Sequence, residues 1–245
     1  MNELKRIEKL EKEIQKLKGL NSDGIPTYSF SKIKEQDLKA LFTLKKKINI
    51  GKFDNWFHNE INISEDTINF FKELIFENEA LIFNYSEEDL KINVIAPIIN
   101  QVKFKSFENE FREFYEQSIT YKTDKFIFTG STDFLLSKGL FESEKPYFFI
   151  QEFKKGKINS DPEPQLLAEL ISAVELNNTK VMKGAFIIGA TWNFVILEKL
   201  EKDNYHYFVS RDFNCTNIED LKAIYKNLVY IKDEIIKDIQ GENNE

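Results

Sequence analysis

The sequence predicts an α/β fold: a central mixed β-sheet flanked by helices, preceded by an N-terminal helical extension. Three observations carry that expectation. Apolar residues recur at helical spacing up to about Val102, then give way to aromatic-rich, strand-like runs from about Phe114. One helix, opened by Pro162 and Pro164, interrupts those runs. A last helical pattern, from about Ile218 to Ile239, precedes a polar tail.

Residues 3–18 alternate Glu and Lys around Leu4, Ile7, Leu10, Ile14 and Leu17. The last four are spaced by three, four and three residues, about two heptads of apolar seam. The span 1–20 is therefore read as an amphipathic helix, either an arm packed on its own domain or a surface for a homodimer or partner protein. Gly19 to Pro26 collects helix breakers and reads as a linker. A single domain follows over 27–240, with its core at about 86–198. A helix with a basic end, Lys45-Lys46-Lys47, is expected from Ser31 to Ile50. Ser64 suits the N-cap of a helix running to about Leu81. Ser86-Glu87-Glu88-Asp89 has capping-box form and opens the apolar run Leu90 to Val102, with a kink expected at Pro97. Strands are expected at 117–121, 126–128, 132–137 and 147–154. The helix from Gln165 to Leu176 carries Leu166, Leu167, Leu170, Ile171 and Val174 on its apolar side. Strands at 181–190, 192–197 and 205–210 complete the sheet.

Composition narrows the function classes. A chain of 245 residues with 23 Phe can bury a sizeable core. Its net charge of -7 argues against a generic nucleic-acid coat protein, while leaving open an acidic metal site with a local basic rim. One cysteine, Cys215, excludes an internal disulfide and a multi-Cys zinc site. With His58 and His206 the only histidines, a histidine-rich metal centre is excluded as well. Neither a Walker-type phosphate loop nor a Gly-x-Ser-x-Gly elbow occurs. There is no apolar run of about 18 residues to span a membrane. The charged start from Glu3 offers no secretory signal, so the expected location is the cytoplasm.

The stretch that points to chemistry is Tyr147-Phe148-Phe149-Ile150-Gln151-Glu152-Phe153-Lys154, an apolar strand ending in a carboxylate and an amine. Side chains alternate along a strand, so Glu152 and Lys154 share a face, about 6.6 Å apart. A second carboxylate, Asp133, stands on the preceding strand. Gln165 opens the following helix, and Glu87 or Glu88 opens the helix before the sheet. Hard cations such as Mg²⁺, with Mn²⁺ as a substitute, take carboxylate and carbonyl oxygens. Asp133, Glu152 and the carbonyl of Phe153 are therefore candidate metal ligands, with a helix-start Glu as a further contact. Lys154 is a candidate to orient a water or to stabilise charge on a phosphate. Gln165 cannot titrate and suits holding a water or a phosphate oxygen. Lys155 and Lys157 lie beside these residues, and Lys122, Lys125, Lys103 and Lys105 are candidates for a rim along a nucleic-acid backbone.

Each of these residues has a plainer alternative. Glu152 and Lys154 also fit an exposed ion pair worth ~0–1 kcal/mol. Asp133 fits a strand-edge polar residue, Gln165 a helix-start residue, and Glu87 a favourable partner of the helix dipole. The lysines fit a solvated face. Trp192 fits core packing, with base stacking as the alternative.

Taken together, Asp133, the Glu152-Phe153-Lys154 triplet after an apolar strand, and Gln165 on the next helix resemble the PD-(D/E)XK nuclease superfamily. The resemblance covers roughly residues 86–198. Val181 to Leu197, with Gly184, Gly189 and Trp192, is similar to the hairpin that often follows in this superfamily. Ser86 to Ile99 is similar to the first helix of the nuclease domain in type I restriction motor subunits. There a Glu at the helix start precedes a basic residue and an apolar-Pro-apolar segment. Glu87, Lys91 and Ile95-Ala96-Pro97-Ile98 fit that pattern, which favours Glu87 over Glu88. Two positions depart: Thr132 stands where a Pro can precede the Asp, and the helix lacks the Tyr of recombination-type exonucleases. The resemblance implies a restriction-endonuclease-like core and a Mg²⁺-dependent nuclease acting on nucleic acid, DNA foremost. The alternative is a catalytically silent relative that acts as a binding scaffold through a partner.

Overall fold

Four long strands and one buried helix organise the described residues, and the shorter elements close around them. The computed structural model describes Arg6 and residues 24–154 and 161–242. Apart from Arg6, the amphipathic helix expected at 1–20 lies outside the described residues, as do Lys155 and Lys157.

Strand β1 (Thr27–Ser29) leads through a 3-10 turn at Phe30–Lys32 into α1 (Glu35–Leu41). The helix expected to reach Ile50 stops there. Phe42 turns extended and packs edge-on against Phe126, Phe128 and Tyr205. The basic stretch becomes strand β2 (Thr43–Lys46), parallel to residues 204–207. Anchoring Phe42 in an aromatic cluster outweighs the helical pattern, and lysines suit an edge strand. Two helices follow, α2 (Asp54–Phe57) and α3 (Glu65–Asn78). Ser64 caps α3 as expected, its hydroxyl accepting from the Thr67 N–H at 3.2 Å.

Helix α4 (Glu87–Leu90) opens on the expected capping box. The Ser86 hydroxyl accepts from the Asp89 N–H, and the Asp89 carboxylate accepts from the Ser86 N–H, each at 3.0 Å. The chain then widens into a π-helical turn, Lys91–Ile95, before α5 (Ala96–Val102). Pro97 has no N–H for the Asn93 carbonyl, and its ring crowds that oxygen. The wider turn absorbs the conflict, so the irregularity expected at Pro97 is a π turn just before it.

Strands β3 (Phe111–Lys122), β4 (Ile127–Lys138) and β5 (Glu144–Lys154) follow. The two strands expected at 126–128 and 132–137 are one. Gly130 joins them with φ +154°, and a Cβ there would lie 3.0 Å from the Phe30 ring. That glycine admits a ring rather than marking a turn. Helix α6 (Pro162–Asn177) is capped by Asp161, which accepts from the Glu163 N–H at 3.1 Å. The hairpin β6 (Val181–Ile188) and β7 (Thr191–Glu201) comes next, then β8 (Asn204–Val209), β9 (Phe213–Asn214) and α7 (Ile218–Glu242).

The nine strands among the described residues form one mixed sheet in the order β1-β4-β5-β6-β7-β8-β2, with β3 on β4 and β9 on β7. Helix α6 connects the parallel strands β5 and β6. It packs its Leu166, Leu170 and Val174 with Ile150, Phe186 and Val195 on one face of the sheet. Helices α2, α3, α5 and α7 cover the other face, where Phe149, Phe153 and Phe194 lie. Helix α7 buries Leu221, Ile224, Leu228, Ile231 and Ile235 there, the stripe of an amphipathic helix. The fold is thus α/β with a mixed central sheet between two helical layers. Trp192 is fully buried, which removes base stacking as its role. No described helix is long and apolar enough to cross a membrane.

One irregularity in this sheet bears on function. Strand β3 pairs with β4 along one edge, from Ile127 to Lys138. On the other edge β1 takes Ile127–Thr129 and β5 takes Phe134–Lys138. Residues 130–133 fall between them, paired on that edge with neither.

Gly184 marks the tightest contact beneath α6. A Cβ there would lie 2.8 Å from the Ile150 carbonyl oxygen and 3.0 Å from Leu170. Gly184→Ala is expected to cost about 1–3 kcal/mol, read as a lowered urea midpoint. An unchanged midpoint would contradict this close approach of β5, β6 and α6.

Candidate active site

Strand β5 carries Ile150, Glu152 and Lys154 on the face covered by α6, while Phe149 and Phe153 enter the opposite layer. The site lies at the carboxyl end of this strand, where open α/β sheets offer a crevice. Glu152 is 1% exposed. It accepts a short ammonium contact from Lys154, whose Nζ also donates to the Phe153 carbonyl at 2.9 Å. Lys154 is therefore a half-buried partner of a buried carboxylate, and the exposed ion pair is set aside.

Asp133 occupies the gap on β4. Its Oδ2 accepts from the Phe153 N–H at 2.7 Å and lies 3.9 Å from Lys154 Nζ. Pairing of β4 with β5 ends at Phe134 and Gln151, so Phe153 has no ladder partner on that side. The Asp133 carboxylate supplies the acceptor instead. Three of the expected residues, Asp133, Glu152 and Lys154, thus meet.

Burial and the Asp133 charge push the Glu152 carboxyl up from 4.5 to about 8, against the pull of Lys154. Burial alone would lower the Lys154 amine, but Glu152 and then Asp133 raise it above its ordinary value.

Gln165 is buried in the first turn of α6, where its side-chain amide donates to Glu169 Oε1 at 3.1 Å. Glu169 is fully buried, and burial followed by the Glu152 charge raises its carboxyl well above the usual range. Sequence reading missed Glu169. Its signal was a single carboxylate inside the apolar run Leu166-Leu167-Ala168-Glu169-Leu170-Ile171, four residues after Gln165 and so on the same helical face.

From the other layer, Lys91 reaches Asp133. Its Nζ lies 2.9 Å from Asp133 Oδ1, 3.4 Å from Glu116 Oε1 and 3.7 Å from Glu87 Oε1. Burial lowers this amine, but the hydrogen bond and charge of Asp133 outweigh it, and the net shift is upward. Glu87 therefore joins the cluster through Lys91. Glu116, absent from the expected set, stands opposite Asp133 on β3. The ladder runs from Tyr115↔Phe134 to Gln117↔Thr132 and omits the Glu116/Asp133 pair. Glu116 has φ +50°, a left-handed geometry that costs a non-glycine residue about 1–2 kcal/mol.

The donor set suits a hard divalent cation. Asp133 and Glu152 offer carboxylates and Phe153 a main-chain carbonyl. Oε2 of Glu152 and Oε2 of Glu169 are buried without a hydrogen-bond partner among the described residues. Such an oxygen calls for a water, a proton or a cation. No three His, Cys, Asp or Glu side chains gather as a metal cage among the described residues. The protein would supply two carboxylates and a carbonyl, with solvent or substrate completing the shell.

Of the expected rim, the described lysines at the hairpin tip lie away from the site. Lys122 and Lys125 sit at the tip of the β3–β4 hairpin, roughly 20 Å along β4 from Asp133. Lys125 pairs there with Asp203 at 3.6 Å. Lys103 ends α5 in a left-handed cap. Nearer the site, a cavity of about 460 Å³ borders Gln165, with Lys32 and Lys34 in its wall.

The chain matches no protein-family model and no curated protein.

The Glu152 carboxyl gives a pH signature. Between about 4.5 and 8 the folded state holds a proton that the unfolded state has released. This group's stabilisation is complete below about 4.5 and is lost as pH rises towards 8. In urea melts with chelator, wild-type stability is expected to fall relative to Glu152→Gln across pH 5–8. A constant difference between the two proteins would contradict the raised carboxyl.

Proposed function

We propose that this chain is a Mg²⁺-dependent nuclease with a restriction-endonuclease-like core, hydrolysing phosphodiester bonds of nucleic acid, DNA foremost, as an endonuclease. Mn²⁺ is the expected substitute. The observation that carries the reading is the convergence of Asp133, Glu152 and Lys154 where β4 and β5 part, with a buried Glu152 oxygen that has no hydrogen-bond partner among the described residues.

Asp133, Glu152 and the Phe153 carbonyl hold the cation in this reading. The bound cation supplies Lewis acidity, activating water and offsetting charge on the phosphate. Lys154 lies against Glu152, near Asp133, placed to orient a water and to stabilise negative charge growing on the phosphate. Gln165 fixes the Glu169 carboxyl at the buried wall, keeping that side of the site dry.

One observation favours a second reading, a catalytically silent binding protein. Asp133 and Glu152 each already hold a lysine, and the Phe153 carbonyl accepts from Lys154, so the ligands are satisfied by amines.

Cleavage of single- and double-stranded DNA and RNA with Mg²⁺ or Mn²⁺ separates the two. Metal-dependent cleavage is expected, falling by about 10²–10³ in Lys154→Ala and disappearing in Glu152→Ala. A folded wild type that cuts none of these substrates would favour the silent reading.

A further inference from the structure

Lys91 poses a problem for any cation at Asp133. Its ammonium lies 2.9 Å from Asp133 Oδ1, while the Phe153 N–H engages Oδ2. An incoming divalent cation meets an ammonium already in place, and like charges cannot share one carboxylate without strong repulsion. Lys91 cannot simply retreat into the protein. Its side chain is 20% exposed and lies over the Phe153 ring, an apolar surrounding that demands a counter-ion.

Two carboxylates stand within a small movement of the same ammonium. Glu116 Oε1 is 3.4 Å away and Glu87 Oε1 is 3.7 Å away. Both lie on the solvent side, Glu116 at 68% and Glu87 at 40% side-chain exposure, against 11% for Asp133. Independently, Glu116 is held in a left-handed conformation in the middle of a strand, directly across from Asp133. The hairpin also rolls over at this point: Phe128 packs in the α6 layer and Phe134, six residues on, in the opposite layer. Backbone strain of this kind is kept where a side chain must be aimed.

We propose that Glu116 and Glu87 are positioning residues that receive the Lys91 ammonium when a divalent cation takes Asp133. This rests on the metal-dependent reading above. Lys91 then acts as an exchangeable internal counter-ion. It neutralises Asp133 in the metal-free protein and shifts towards Glu116 and Glu87, already 3.4 and 3.7 Å away, as the cation arrives. The arrangement lets a buried carboxylate be preformed for metal without ever standing unpaired.

The test is Mn²⁺ affinity of the full chain, by calorimetry or by paramagnetic resonance of free Mn²⁺, in a double-mutant cycle. Wild-type binding that is lost in Asp133→Asn establishes the site. Glu116→Gln is expected to weaken Mn²⁺ binding about fivefold or more. In a Lys91→Met background the same substitution is expected to change affinity by less than about twofold, because no ammonium needs receiving. Equal weakening in both backgrounds would show Glu116 to be only part of the general field and would overturn the proposal. No effect of Glu116→Gln in the presence of Lys91 would overturn it too. A wild type that binds no Mn²⁺ would instead remove the metal-dependent reading and this proposal with it. Glu116→Gly supplies a second readout: relief of the left-handed strain is expected to raise Tm while Mn²⁺ binding weakens. A higher Tm with unchanged affinity would leave the proposed role without support.

Discussion

The hydrogen bond from the Phe153 N–H to the Asp133 carboxylate is the interaction on which the site depends. Strand β5 stays paired with β6 through Lys154, yet its pairing with β4 stops at Gln151. The two strands therefore fork, and the fork would leave a main-chain donor without an acceptor. Asp133 fills it with a side chain. The same bond places one carboxylate beside Glu152 and Lys154, which β5 presents on the side of α6. Beyond the fork, β1 takes Ile127–Thr129 on the same β4 edge. A defect in the ladder and the assembly of the charged cluster are one structural event.

The electrostatics of the cluster follow from burial. Asp133, Glu152 and Glu169 are all withdrawn from water, and two ammonium groups, on Lys91 and Lys154, come within reach of them. These carboxylates crowd one another away from solvent, and the pressure appears as raised carboxyl values at Glu169 and Glu152. Glu169 pairs with no ammonium among the described residues, its carboxyl is raised well above the usual range, and it accepts from Gln165 on one oxygen. A divalent cation entering this cluster competes with protons and with amines, so its affinity must rise with pH across the range where Glu152 releases its proton.

Much of this was legible in the residues. The apolar strand ending in Glu152 and Lys154, the helix opened by Pro162 and Pro164, and the capping box at Ser86 are local signals, and each stands where expected. The basic stretch at Lys45 was misread because the aromatic pocket that captures Phe42 is built from distant residues, Phe126, Phe128 and Tyr205. β4 was read as two strands, 126–128 and 132–137, for a similar reason, since the ring that Gly130 admits between them belongs to Phe30. Within the site, Glu169 carried a readable signal in its apolar surroundings. Glu116 carried none, because nothing local marks a strand residue for φ +50°, and its register against Asp133 exists only in the folded hairpin. The lysines at the hairpin tip were grouped by charge, whereas the length of β4 separates them from Asp133.

The costs built into this region weigh against a purely architectural role. Replacing buried ionic groups with apolar residues of similar volume is often neutral or stabilising by 1–4 kcal/mol in proteins generally. Here α6 sets Glu169 among leucines, where an apolar residue would pack without a protonation cost. β5 places Glu152 almost beyond solvent, with one oxygen that has no partner among the described residues. β3 holds Glu116 in a conformation that glycine would take freely. A sheet that only had to bind a partner through its surface would gain from relieving all three. Their coincidence at one fork, on three separate elements, is the pattern of a site arranged to take up charge, which is why the metal-dependent reading stands ahead of the silent one.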